Sequence, residues 1–241
     1  MKFLRKVSAE LDFFAIVKYN EYGKEFFDFD FPKELRDVKH MTENLTETER
    51  EWETLLQTCT DCTACPLYNT KTNTVFGCGN RKADVMFIGE APGESEDKQG
   101  VPFVGASGQL LDRYFLAVGL PRESVYIANI LKCRPPHNRD PLPEEEDACI
   151  VHLRAQLRLV EPKYLVCLGR VAAKRIIKPD FRITAEHGVW FRKGAYEVCA
   201  VYHPSALLRD SSKREDMLRD MRDVAAKAKA LADAQTPSEN A

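Results

Sequence analysis

From residue 83 onward the chain alternates short apolar, β-branched runs with longer amphipathic ones. Asp84-Val-Met-Phe-Ile-Gly89 predicts a buried strand, and Ser107 to Val118, stopped by Gly119 with Pro121 beyond it, predicts a helix. Val125 to Leu131 reads as a second strand. Pro143 to Val160 reads as a helix with an acidic first turn (Glu144, Glu145, Glu146) and later arginines (Arg154, Arg158), the charge order that the helix dipole favours. Tyr164 to Gly169 is a third strand, Arg170 to Ile177 a third helix, Gly188 to Tyr202 a hairpin leading into the last strand, and residues 213–232 a terminal helix. Such alternation predicts an α/β sandwich around a mostly parallel sheet.

The first 40 residues lack this regularity. They mix aromatics with charges and alternate in Phe27-Asp28-Phe29-Asp30-Phe31, which suits short strands or a partly ordered arm. Thr46 followed three residues later by Glu49 is a capping-box pattern that opens a helix. The expected organisation is an extension over residues 1–40, the functional domain over 41–232, and an unstructured tail over 233–241.

Composition narrows the class. The chain has 241 residues, 44% apolar and 30% charged, enough for a real core and too apolar for wholesale disorder. No apolar run approaches the roughly 18 residues of a membrane span, and the N-terminus is interrupted by Glu10 and Asp12 before any signal-like apolar stretch. A cytoplasmic protein with no membrane partner is expected. The net charge of −2 conceals an uneven distribution: residues 1–58 hold 9 basic and 13 acidic groups, so the remainder is mildly basic. That removes an objection to a nucleic-acid partner without proving one.

Eight cysteines are unusual in a compartment that keeps thiols reduced, where clustered cysteines point to metal. Cys62 and Cys65 form a C-x2-C pair, and Cys133 and Cys149 lie sixteen apart. Four thiolates can close a tetrahedral zinc site or anchor an iron–sulfur cluster, and spacing leaves both open. Cys59 is a doubtful neighbour, and Cys78, Cys167 and Cys199 read as structural.

In open α/β folds the active site collects at the carboxyl ends of the strands. There this chain carries Gly89-Glu-Ala-Pro-Gly93, Asn129 followed by Lys132-Cys-Arg-Pro-Pro136, and His203-Pro-Ser205. With Cys62-Thr-Ala-Cys65 and Pro102-Phe-Val-Gly105, these stand in the order and approximate spacing of the family 4 uracil-DNA glycosylases, and the chain resembles that family over roughly residues 50–225.

The resemblance implies a three-layer α/β/α sandwich around a four-stranded, mostly parallel sheet, and an enzyme that removes uracil from DNA. It implies a [4Fe–4S] cluster held by Cys62, Cys65, Cys133 and Cys149. Phe103 matches the aromatic on which the extruded base stacks, and Asn129 the carboxamide that reads it. His203 matches a donor to the departing uracil, and Glu90 an acidic residue that orients water or steadies the cationic sugar. The backbone at Ala91 is expected to contact uracil O2. Glu94, Glu96 and Asp97 read as a solvated loop face, although Glu96 and Asn138 are candidates to buttress the pocket. Ser205 to Arg209 is expected to press on the minor groove, with Leu207 or Leu208 as the wedge and Arg209 on phosphate; Arg134 and Arg139 are candidates for the phosphate backbone. The partner implied is uracil-containing DNA, single- or double-stranded, bound by a monomer, with contact to a replication clamp left open. The competing readings are a noncatalytic or covalent uracil-DNA binder of the same fold, whose Lys-Arg-Arg-Ile-His insertion is absent here, and a zinc-stapled nucleic-acid module.

Overall fold

The structure is a computed structural model that describes residues 15–19, 25–29 and 45–235. It divides into two units, Met1–Arg50 and Glu51–Ala241. The expected boundary near Met41 and the tail from residue 236 lie outside the described residues.

In the first unit, strands β1 (Ala15–Tyr19) and β2 (Glu25–Phe29) pair antiparallel, with Val17 opposite Phe27. Helix α1 (Glu47–Thr60) begins with the predicted reciprocal cap: Thr46 N–H donates to Glu49 Oε2 at 2.8 Å, and Glu49 N–H to Thr46 Oγ1 at 3.3 Å.

The second unit continues through β3 (Cys78–Gly79), β4 (Val85–Gly89), α2 (Glu94–Gln99), α3 (Ala106–Val118), β5 (Tyr126–Asn129) and α4 (Pro143–Val160). It is completed by β6 (Tyr164–Leu168), α5 (Arg170–Ile176), α6 (Ile183–Glu186), β7 (Phe191–Lys193), β8 (Tyr196–Val201), α7 (Pro204–Arg209) and α8 (Arg214–Gln235). Among the described residues one sheet has the order β3-β5-β4-β6-β8-β7. The expected four parallel strands are its centre, β5-β4-β6-β8, and two short antiparallel strands extend it to six. β3 escaped the pattern because two residues carry no periodicity. It exists because Gly79, at φ +114°, lies so close to β5 that a Cβ would stand 2.1 Å from Val125 O. α8 runs to Gln235, three residues into the stretch expected to be an unstructured tail.

Strand periodicity sorts the layers. Val85 and Phe87 of β4 join Ile127, Val166, Leu168, Cys199 and Val201 in a core covered by α3, α7 and α8 through Leu111, Phe115, Leu207, Met217 and Met221. Met86 and Ile88 point to the other face, where Ala128, Leu165 and Cys167 meet Trp52 of α1, Ile150 and Leu153 of α4, and Ala172 and Ala173 of α5. The result is the three-layer sandwich. Because β5 lies on one side of β4 and β6 on the other, the chain reverses its direction of travel across the sheet at β4, and a crevice opens above that strand's carboxyl end. No helix among the described residues is long and apolar enough to cross a membrane.

Candidate active site

That crevice is a cleft of about 510 Å³, lined by groups from four strand ends: Glu90 and Ala91 after β4, Asn129 closing β5, Gly169 after β6, and His203 after β8. Phe103 lies against it from the loop before α3. Its backbone is left-handed, φ +54°, which is strained for a phenylalanine and is held from two sides. Gly108 packs so close that a Cβ would stand 1.9 Å from Phe103 O. Glu96 Oε1 accepts from the N–H groups of Val104 at 2.9 Å and Gly105 at 2.8 Å. The Phe103 and His203 rings face each other at 5.7 Å between centroids. Gly89 makes room beneath them, since a Cβ there would meet Asn129 Oδ1 at 2.3 Å and Phe103 Cζ at 2.7 Å.

Two polar groups in the cleft have a defined state. Asn129 is 1% exposed, and its Oδ1 has no hydrogen-bond partner among the described residues. A buried acceptor left unpaired is costly, so it marks a place for a donor from a ligand. His203 caps α7: its Nδ1 accepts the Ser205 N–H at 3.1 Å and lies 2.8 Å from Ser205 Oγ. Burial, with Arg209 nearby, lowers its pKa to about 4, so the ring is neutral near pH 7. A neutral imidazole that accepts at Nδ1 carries its proton on Nε2. Glu90 shows the opposite shift: burial, reinforced by Asp140 and Glu146 against the pull of Arg170, pushes its carboxyl up to about 7.

A second, apolar cavity lies where α1 and its following loop meet the β5–α4 loop and α4. Cys59, Cys62, Cys65, Cys133, Cys149, Lys132 and His152 are among its lining residues. Burial pushes the thiols of Cys59 and Cys133 up to about 12, and those of Cys65 and Cys149 up as well. Lys132 is 1% exposed; its backbone N–H donates to Cys149 Sγ at 3.3 Å and its Nζ to Asn129 O at 2.8 Å and Gln156 Oε1 at 2.6 Å. The Lys132 side chain thus grips the backbone of the residue that faces the cleft, while its amide meets the thiols. Burial, then Lys132, lowers the His152 pKa, and its buried Nε2 has no partner among the described residues.

The donor set fits an iron–sulfur cluster: soft sulfurs in an apolar pocket, a buried Lys132 to balance their charge, and a buried imidazole nitrogen without a partner among the described residues.

A family model described as the uracil DNA glycosylase superfamily matches residues 76–233. The type-4 uracil-DNA glycosylase of Archaeoglobus fulgidus is 46% identical over 173 residues, covering 68% of this chain and 86% of that protein. The chain belongs to the type-4 uracil-DNA glycosylases. The Thermotoga maritima member of that type is 44% identical over 166 residues, 66% of this chain and 85% of that protein. A type-5 uracil-DNA glycosylase of Pyrobaculum aerophilum is more distant, 34% identical over 146 residues, 54% of this chain and 64% of that protein.

Within this type-4 chain, the cleft brings together Glu90, Ala91, Phe103, Asn129, Asn138 and His203, with Ser205 and Arg209 of the expected DNA-contacting loop also on its lining. Cys62, Cys65, Cys133 and Cys149 meet in the second cavity, with Cys59 beside them. Three expectations need correction. Leu207 is 0% exposed and packed in the core beneath α7, so it cannot be a wedge; Leu208, 47% exposed, is the leucine on the surface. Arg139 is not an open phosphate clamp, because Glu145, itself buried, takes both ends of its guanidinium at 2.9 and 2.6 Å. Asp97 is not part of a solvated face: it is 3% exposed and accepts from Thr72 N–H at 2.9 Å, while Glu96 takes the other place offered to it, holding the Phe103 loop against the pocket. Arg134 is half-buried, donating to Asn138 Oδ1 at 2.7 Å with Glu94 at 3.7 Å. The sequence reading missed a function for Lys132 and His152. Their only signal was adjacency, one residue before Cys133 and one helical turn after Cys149.

Proposed function

We propose that this protein is a uracil-DNA glycosylase that hydrolyses the N-glycosidic bond of deoxyuridine in DNA, releasing uracil and leaving an abasic site for base-excision repair. The observation that carries this reading is Asn129 Oδ1, buried in the cleft beside Phe103 without a partner among the described residues, in the same cleft as a histidine whose proton is fixed on Nε2.

An extruded uracil stacks on Phe103 and donates its N3–H to Asn129 Oδ1, while the same carboxamide donates to O4. Cytosine has no proton at N3 and an amino group at C4, so both contacts fail for it. As the glycosidic bond breaks, negative charge gathers on uracil and positive charge on the sugar. His203 Nε2–H donates to O2, where that negative charge develops, and the Ala91 backbone N–H assists. Ser205 keeps the ring in that tautomer. Glu90, as carboxylate, orients the attacking water and offsets the sugar's positive charge. Leu208 supports the stack that the base has left, and Arg209 and Arg134 face phosphates.

Cys62, Cys65, Cys133 and Cys149 hold a [4Fe–4S] cluster, which when bound supplies a rigid anchor and local charge rather than electrons for the reaction. Uracil-containing DNA is the partner, met by a monomer in the cytoplasm. The test is incubation with a uracil-containing oligonucleotide followed by alkali. Strand scission that the His203→Ala variant loses is expected; no scission from the unaltered protein overturns the reading.

A further inference from the structure

His152 has no part in the chemistry above, yet it is 5% exposed, its Nε2 is buried without a partner among the described residues, and it lines the cysteine cavity. It follows Cys149 by three residues on α4, so the two side chains share a helix face. The groups around that cavity limit what Nε2 can meet. Lys132 turns its Nζ away to Asn129 O at 2.8 Å and Gln156 Oε1 at 2.6 Å, Ala64 and Ala148 have no polar side-chain atoms, and Tyr68, 41% exposed, has solvent within reach. The remaining lining side chains belong to the five cysteines, whose sulfurs accept. A lone pair on Nε2 facing electron-rich sulfur would be repelled, whereas an N–H would be satisfied, which selects the tautomer with the proton on Nε2.

We propose that His152 donates its Nε2–H to a sulfur of the cluster, and so makes this chain's cluster easier to reduce than the four thiolates alone would. The inference rests on the cluster reading given above. An N–H···S bond withdraws electron density from sulfur and favours the state with one more electron, so removing it lowers the reduction potential.

The experiment compares the anaerobically purified full-length protein with His152→Phe, which keeps the ring and loses the donor, and His152→Gln, which keeps an N–H. Each is titrated with a chemical reductant and read by electron paramagnetic resonance, and its Fe–S vibrations are recorded in H2O and D2O. His152→Phe is expected to shift the reduction equilibrium about tenfold toward the oxidised form, ~59 mV for one electron, and to lose the H/D sensitivity of the Fe–S bands. His152→Gln is expected to restore part of both, and uracil release is expected to be unchanged in all three. An unmoved potential in His152→Phe overturns the inference, as does loss of iron from both variants, which would make His152 a ligand or a fold element. Protein lacking iron and acid-labile sulfide before any substitution overturns the cluster reading and this inference with it.

Discussion

Among the described residues, Asn129 Oδ1 in the base pocket and His152 Nε2 at the cysteine cavity are buried polar atoms without a partner, and Lys132 touches both regions. They differ in what surrounds that atom. In the base pocket the supports are already in place: Glu96 holds the Phe103 loop, Ser205 fixes the His203 tautomer, and Gly89 leaves the space. In the cysteine cavity the thiols are driven upward in pKa by burial, and a buried ammonium faces neutral sulfur. The first region is complete apart from its substrate, as a catalyst that spends no reorganisation during reaction must be. The second, on the proposed cluster reading, is completed by metal, whose charge and that of the thiolates neutralise each other. Chemistry and stability are therefore expected to separate cleanly between the two.

The largest effect that tests this separation is on stability. Cys133→Ala, by preventing cluster retention, is expected to remove several kcal/mol, a fall on the order of 10–20 °C in the melting midpoint for a chain of this size. Uracil release is expected to continue below the new midpoint, and a midpoint that does not move would break the comparison. The complementary substitution acts on the other region. His203→Ala is expected to lower kcat by about 10²- to 10³-fold, the usual consequence of losing one preorganised donor, while iron content stays where it was and the melting midpoint falls by only a few degrees, from the lost cap of α7.

The sequence carried the base pocket further than its surroundings. Motifs at strand ends located Glu90, Asn129 and His203 because a β/α pattern fixes which residues leave the carboxyl edge of the sheet, and each of those residues lines the cleft. The C-x2-C pair was legible from its spacing, Cys133 and Cys149 were set beside it by the resemblance, and all four line the second cavity. Leu207 and Leu208 were not separable, since adjacent residues on a six-residue helix differ only in which side meets the core. Asp97 looked solvated because an acidic run after glycine is common at exposed helix starts, and only the fold brings Thr72 back onto it; Glu96, also offered as a pocket buttress, could not be placed in that role until Val104 and Gly105 were brought onto it. Lys132 and His152 gave no signal beyond adjacency to two cysteines, because what Lys132 touches, Cys149 and Gln156, lies 17 and 24 positions away.

A smaller effect concerns pH. Glu90, pushed up to about 7, must be ionised to handle water, so kcat/KM is expected to fall about tenfold per pH unit below that value and to level off above it. Glu90→Gln is expected to lower the plateau by about 10²-fold and to erase the limb. Stability moves the other way. The folded protein holds this proton more tightly than the unfolded chain, so Glu90 contributes stability at acid pH that is lost as pH rises through about 7. The glutamine variant is therefore expected to melt increasingly above the unaltered protein between pH 5 and 8. A limb that survives the substitution assigns the titration to another group.

The smallest expected effect reaches the pocket through one of its supports. Glu96 does not touch the base; its Oε1 accepts two backbone N–H bonds that keep Phe103 in its left-handed conformation. Without them that conformation, unfavourable by roughly 1–3 kcal/mol, is no longer enforced. The stacking platform is then populated only part of the time, which reduces binding in proportion to the lost fraction. Glu96→Ala is expected to raise KM about tenfold with kcat within about twofold, and Glu96→Gln, whose amide oxygen still accepts both bonds, to recover most of the loss. A fall in kcat at unchanged KM would mean that Glu96 acts on the reaction through His203, which it faces electrostatically, and not through Phe103.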